Sequence, residues 1–232
     1  MHDTALAAGF LFGRIYGQKG KTVIDVGGLD VNGSLRAAFQ EMGMRYICVD
    51  IESHPSVDLV ISPGGKLPFE EQSVDLIIST SCFEHDPCFW LTFKDMSRII
   101  KPDGYIYVNA PSDGKYHTHP GDNWRFYSDA GQALAYWSGI AMGGEKVFPT
   151  KIVETFHILA RNEPWTDFVC IWQRTDKAET TITVADTILQ GTGPLEASLN
   201  ANAFLTKKKF LINPRIPAIL SSVGQPEHVL KD

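Results

Sequence analysis

Along the first half of the chain, short apolar runs alternate with stretches whose apolar residues recur every three or four positions. Thr22–Val26 (TVIDV), Tyr46–Asp50 (YICVD), Val57–Ile61 (VDLVI), Val74–Thr80 (VDLIIST) and Tyr105–Ala110 (YIYVNA) are rich in β-branched and aromatic residues and nearly continuous in hydrophobicity. Strands of that kind are buried on both faces, the pattern of a parallel sheet covered by helices. Leu35, Ala38, Phe39 and Met42 fall at helical spacing behind Asn32-Gly33-Ser34, which offers caps. Phe89, Phe93, Met96 and Ile100 share one face of a predicted helix that Lys101-Pro102-Asp103-Gly104 ends. The apolar lead-in ALAAGFLFGRIYG predicts one more short helix, whereas the third-to-fourth link, SPGGKLPFEEQS, carries little helical signal.

Past residue 111 a loop rich in His, Gly and Asp runs to about Ser128. A helix is predicted over Asp129–Ser138, then strands near Ile152–His157 and Phe168–Gln173, which make an antiparallel hairpin at a sheet edge. The fold expected is therefore α/β: a Rossmann-like, doubly wound, mostly parallel seven-stranded sheet with an antiparallel edge hairpin. Residues 1–174 form the expected domain. Residues 175–232 lose the strand–helix rhythm, carry Pro194, Pro214, Pro217 and Pro226, and are read as a C-terminal extension that packs on the domain or on a partner subunit. A homodimer is one expectation for the assembly.

Composition narrows the picture. The 232 residues are 44% hydrophobic and 21% charged, which are globular values. Lys+Arg number 21 against 27 Asp+Glu, a net charge of −6, which argues against a nucleic-acid partner. No apolar run approaches the roughly 18 residues of a membrane helix. Ala5–Phe12 is short and follows Asp3 rather than a basic segment, so neither a membrane span nor a signal peptide is expected. Cys48, Cys82, Cys88 and Cys170 match no usual zinc spacing and read as reduced thiols of a cytoplasmic protein, and no metal is expected.

The candidate chemistry gathers where strands end. The first strand closes on Asp25-Val26-Gly27-Gly28, and glycines there let a backbone approach a ligand. Asp50 ends the second strand, 23 residues after Gly27, where a carboxylate can accept from both hydroxyls of a ribose. The turn G-G-L-D-V-N-G lacks the G-x-G-x-x-G register of a pyrophosphate site, and no P-loop occurs. The implied cofactor is a nucleoside without a pyrophosphate, which disfavours a nicotinamide oxidoreductase.

In order and at matching spacing, DVGGLDVNGS, YICVDIE, KLPFEEQSVDLIISTSCFEH and MSRIIKPDGYIYVNAP resemble class I S-adenosylmethionine-dependent methyltransferases of the small-molecule type. The resemblance spans about Thr22 to Pro111 and fades toward Arg174. It implies S-adenosyl-L-methionine as cofactor. Asp25 would hold the first loop or approach the methionine ammonium, and Gly27, Gly28 and Gly33 would pack against the methionine part. Asp50 would take the ribose hydroxyls, with Ile51 against the adenine. Ser81, Cys82 and Phe83 would line the cleft floor near the sulfonium, and Asp75 would be structural. Leu29 and Val31 stand where the family has further glycines. Ser62-Pro63-Gly64 stands where relatives often have an Asp for the adenine amino group, leaving Ser62 or a backbone carbonyl for that task.

A methyl transfer mainly asks the protein to align a nucleophile and handle one proton. The segment Pro111–Phe126 follows a strand's carboxyl end and holds H-P-G-D-N-W-R-F, which is similar to a stretch of bacterial methyltransferases near polysaccharide and natural-product gene sets. That similarity implies a small polar acceptor, a sugar or natural-product intermediate, methylated on O or N. His119 and His117 are the candidate bases, with Asp122 orienting one of them or binding an acceptor hydroxyl. His85, Trp124 and Arg125 are candidate acceptor contacts, while Trp124 and Arg125 are equally readable as pins for the loop. A second reading stays open: a catalytically inactive, methyltransferase-like cofactor-binding or scaffold protein.

Overall fold

The five apolar runs of the first half all become parallel strands; four are buried within the sheet, whereas the third shrinks to an exposed two-residue edge strand, Leu59–Val60, instead of the strand buried on both faces that its sequence suggests. A computed structural model describes residues 3–118, 120–141, 143–160, 165–174 and 203–205. The strands are β1 (Thr22–Val26), β2 (Arg45–Asp50), β3 (Leu59–Val60), β4 (Val74–Thr80), β5 (Ile100–Asp113), β6 (Lys151–Ala160), β7 (Thr166–Gln173) and β8 (Ala203–Leu205). The helices are α1 (Asp3–Tyr16), α2 (Arg36–Glu41), α3 (Phe89–Ile99) and α4 (Ala130–Ser138).

The sheet order is β3-β2-β1-β4-β5-β7-β6-β8. β1 pairs in parallel with β2 and β4, β2 with β3, and β4 with β5. β7 runs antiparallel to both β5 and β6. The edge hairpin is thus present, with β7 inserted between β5 and β6. Ile158↔Leu205 to Ala160↔Ala203 add an eighth, antiparallel strand beyond the seven expected. Apart from that strand, the expected extension over 175–232 lies outside the described residues.

Alternating side chains feed two cores. Val23, Tyr46, Leu76, Ile78, Tyr107, Phe156 and Val169 meet α1 and α2 on one face. Ile24, Val49, Ile77, Ile106, Val108, Phe168 and Trp172 meet α3 and α4 on the other. α1 adds two buried hydrogen bonds to its apolar contacts: Thr4 Oγ1 donates to Asp167 Oδ2 at 2.8 Å, and the Tyr16 hydroxyl donates to Glu154 Oε1 at 2.7 Å. The β3–β4 link forms no helix. Its backbone is satisfied instead by α3, where Arg98 donates to the carbonyls of Leu67 and Phe69 and Asp95 accepts from the Leu67 N–H. Asp75 is structural as expected, taking the Thr22 N–H and the Lys101 ammonium at the far end of the sheet.

Candidate active site

The carboxyl ends of β1, β2, β4 and β5 lie together at one edge of the parallel half, the place where open α/β sheets bind ligands. After β1, Gly27 turns with φ +74°. A Cβ there would fall on Cys82, within 2.6 Å of its Cβ, so Gly27 has an internal reason to be glycine besides its conformation. Gly28 is similarly constrained, since a Cβ would run into the Asp25 carboxylate. The Asp25 carboxylate is 1% exposed, accepts from the Tyr46 hydroxyl through Oδ2, and has no described partner for Oδ1. Burial pushes its pKa up to about 7, with the nearby Asp50 adding to the shift and the Tyr46 hydroxyl and Arg36 opposing it. Gly33 turns with φ +111°, and its N–H donates to Asp30 Oδ1.

Asp50 ends β2 with both oxygens engaged by backbone, Oδ2 from Leu29 N at 3.1 Å and Oδ1 from Glu52 N at 3.1 Å. An ionised carboxylate has about four acceptor positions, so each oxygen keeps capacity for one hydroxyl. Beside it, Ile51 is 44% exposed and Val31 and Val60 are exposed as well. Three uncovered aliphatic side chains around an acceptor-rich carboxylate suit a nucleoside: apolar surface for a base, lone pairs for a ribose. Residues 62–65 close a type II turn, with Gly64 at φ +69° and Gly65 N donating to the Ser62 carbonyl at 2.8 Å. The Ser62 carbonyl is therefore already engaged.

β4 hands over to a loop that crosses the site. Ser81 takes φ +50°, rare outside glycine, and its N–H donates to the Asn109 carbonyl on β5. Cys82 sits on the β1 turn. Phe83 is fully buried against Phe89 and Phe126 and belongs to the core, not to the cleft floor expected for it. An aromatic side chain two residues past a buried strand has core to fill, and here α3 supplies it. Glu84 follows, 1% exposed, with Oε2 lacking a described partner; burial pushes its pKa up to about 8.

The loop after β5 wraps onto this one. Asn123 N and Trp124 N both donate to the Glu84 carbonyl, Asn123 Nδ2 to the His85 carbonyl and Trp124 Nε1 to the Asp86 carbonyl. The His85 Nδ1 meets the Gly121 carbonyl, and its ring stands perpendicular to that of His117 at 4.9 Å. Asp122 is forked by Arg125, which also donates to the Lys115 and Trp124 carbonyls, and accepts from His117 N at 2.9 Å. The Arg125 guanidinium holds the Asp122 carboxyl down to about 2. Trp124 keeps 37% exposure and Tyr116 74%. His119 lies outside the described residues.

The structure thus brings Asp25, Gly27, Gly28, Asp50, Ile51 and Cys82 into one region and His85, His117, Asp122, Trp124 and Arg125 into another, joined through Glu84 and Cys82. Sequence reasoning passed over Thr80, the last residue of β4, and its register partner Asn109 within β5, both buried and with polar side-chain atoms lacking described partners. A polar residue closing an otherwise apolar strand was the available signal. A groove between α1 and α2, lined by Gly17, Lys19, Met42 and Met44, lies at the opposite end of β1 and β2 and takes no part in this arrangement.

Comparison with known proteins agrees with this arrangement. Residues 8–108 match the family model described as Methyltransferase domain. A protein of Mycobacterium sp. strain KMS named as an uncharacterized methyltransferase is 35% identical over 94 residues, covering 37% of this chain and 36% of its own length. One from Mycobacterium avium is 33% identical over 115 residues, covering 44% and 45%. The match spans less than half of these relatives' own length. Among solved structures, the Burkholderia thailandensis 1,6-didemethyltoxoflavin-N1-methyltransferase, with S-adenosylhomocysteine bound, superposes at TM-score 0.53 and 16% identity, covering 75% of this chain and 80% of that one. The YcgJ protein of Bacillus subtilis does so at 0.53 and 12%, covering 75% and 100%. At such identities the likeness is one of fold. The parallel strands β1 to β4, the β1 turn and the Asp50 end of β2 all lie within residues 8–108, the segment that is similar to a methyltransferase domain.

Proposed function

We propose that this protein transfers a methyl group from S-adenosyl-L-methionine to an oxygen or nitrogen of a small polar acceptor. One observation carries the reading: Gly27 packs on Cys82, so the nucleoside-suited edge around Asp50 and the polar cluster around Glu84 are fixed as neighbours on one rim of the sheet. The bound cofactor supplies an electrophilic methyl on a positively charged sulfur. Asp50 takes the ribose hydroxyls and Ile51 the adenine face, with Ser62 and Gly64 at its edge. Gly27, Gly28 and Gly33 give the methionine end room, and Asp25, Ser81 and Cys82 border it. Asp25, about half protonated at pH 7 in the free protein, ionises fully once the methionine ammonium lies near.

On the acceptor side, Trp124 and His85 offer an aromatic face and a polar edge, and Arg125 keeps the loop in place through Asp122. Asp122 stays ionised throughout and orients rather than accepts. His117 or His119 takes the proton. The exposed rings of Trp124 and Tyr116 beside so many hydrogen-bonding groups favour a sugar-like acceptor, whose ring carbons stack while its hydroxyls bond.

Calorimetric titration with S-adenosylmethionine and S-adenosylhomocysteine, with NADH as control, tests the cofactor; an acceptor screen beginning with sugars and nucleotide-sugars tests the transfer. Micromolar binding of the adenosyl ligands alone is expected. Binding of neither overturns the cofactor reading, and binding without turnover on any acceptor class favours a scaffold.

A further inference from the structure

We propose that Glu84, His85 and His117 bind a divalent transition-metal cation. One ligand atom from each lies within 4.8 Å of the others. Two imidazoles and one carboxylate form a donor set for Zn2+, Fe2+ or Co2+, whereas Ca2+ and Mg2+ take oxygen shells.

The ring orientations fit that use. His85 turns Nδ1 to the Gly121 carbonyl, which fixes Nδ1 as the protonated nitrogen, and its Nε2 faces Glu84 Oε1 at 3.6 Å. His117 turns Nδ1 toward the Lys115 carbonyl at 3.3 Å and Asp122 Oδ2 at 3.3 Å, which leaves Nε2 for a ligand. An imidazole supported at one nitrogen by a carbonyl or carboxylate is the usual outer arrangement of a metal-bound histidine.

Glu84 supplies the independent observation. Its carboxylate is buried, its Oε2 lacks a described partner, and the neighbouring guanidinium of Arg125 is forked onto Asp122. A buried carboxylate without a cation is costly, and a divalent ion at this point offsets the cost. Bonds of about 2.1 Å place ligand atoms roughly 3–4 Å apart, so the loop carrying His117 would close by about an ångström. Three protein ligands leave a position for water or, with the proton then passing to His119 instead of the metal-bound His117, for an acceptor hydroxyl. The last of these rests on the methyl-transfer reading; the metal site itself does not.

The test uses the full chain, stripped with a chelator and given metal alone, without cofactor or acceptor, so that its outcome is independent of methyl transfer. Co2+ is titrated by visible absorption and Zn2+ by calorimetry. Saturable binding with nitrogen-donor ligand-field bands is expected, with Zn2+ displacing Co2+. His117→Ala and Glu84→Gln should each weaken binding at least about tenfold. His54→Ala, an exposed histidine elsewhere, should leave it unchanged, and circular dichroism of each variant checks the fold. Absence of saturable binding, or binding unchanged in both His117→Ala and Glu84→Gln, overturns the proposal.

Discussion

Replacing Gly27 by alanine isolates the contact on which the site's geometry depends. Two costs are expected. At φ +74° an L-residue sits in the left-handed region, at about 1–2 kcal/mol. The new Cβ also falls on Cys82, and overpacking of this kind costs about 1–3 kcal/mol. The sum, roughly 2–5 kcal/mol, would be read from urea unfolding followed by tryptophan fluorescence. The two parts can be separated by a double-mutant cycle. Cys82→Ala removes the sulfur but keeps the Cβ, so it should return about 1 kcal/mol of the loss in the Gly27→Ala background while the conformational part stays. S-adenosylhomocysteine affinity should fall in Gly27→Ala and recover partly in the double variant. A loss below about 1 kcal/mol, or a double variant no better than the sum of the singles, would refute the claim that Gly27 and Cys82 are in contact.

Asp50→Ala should weaken S-adenosylhomocysteine binding about 10–100-fold, as hydrogen bonds to a carboxylate are worth about 1.5–3 kcal/mol; unchanged affinity in calorimetry would displace the ribose site. Asp25 is raised from 3.8 to about 7 in the folded protein, so the folded state holds its proton longer and stability falls as pH rises from about 4 to 7. Asp25→Asn should therefore gain on the parent with rising pH, by up to about 4 kcal/mol above pH 7; denaturation at pH 5 and pH 8 checks this, and a difference that does not grow with pH contradicts it. Arg125→Lys keeps a charge but loses the fork on Asp122, and should cost about 1–2 kcal/mol in unfolding free energy; a neutral outcome would mean that the pair does not pin the loop.

What was legible in the sequence is what short-range patterning encodes. Val74–Thr80 appears with the limits read from its apolar run, and Phe89–Ile99 stops where Ile100-Lys101-Pro102 allows no further turn. The carboxylate of Asp50 stands at the strand end that its spacing from Gly27 implied. Long-range packing was not legible. Phe83 looks like any residue of a cleft-lining loop until Phe89 and Phe126 close around it. Gly27 and Gly28 read as room for a ligand, and only the fold reveals that Cys82 and Asp25 require them. The metal-ligand cluster escaped for the same reason: Glu84 and His85 are adjacent in sequence, but His117 reaches them only because the β5 loop hydrogen-bonds to the Glu84 carbonyl. β8 pairs with β6 across more than forty residues, and no local rhythm announces it.

The hydrogen bonds that seat α1 also bear on how the protein is made. Its two anchors lie 138 and 163 residues further along the chain. At about 5–20 residues per second, a ribosome needs of the order of ten to thirty seconds to deliver them. Throughout that interval Leu11, Phe12 and Tyr16, all buried in the finished protein, have at most the earlier elements, β1, β4 and β5 among them, to cover them, and lack the part of their core that Phe156, Ile158, Val169 and Ile171 complete. The helix emerges early and docks late, so the nascent chain must keep an apolar segment from aggregating until β7 arrives. Stalled chains ending before β6 should accordingly be held by chaperones, whereas chains extended past Gln173 should resist protease at α1.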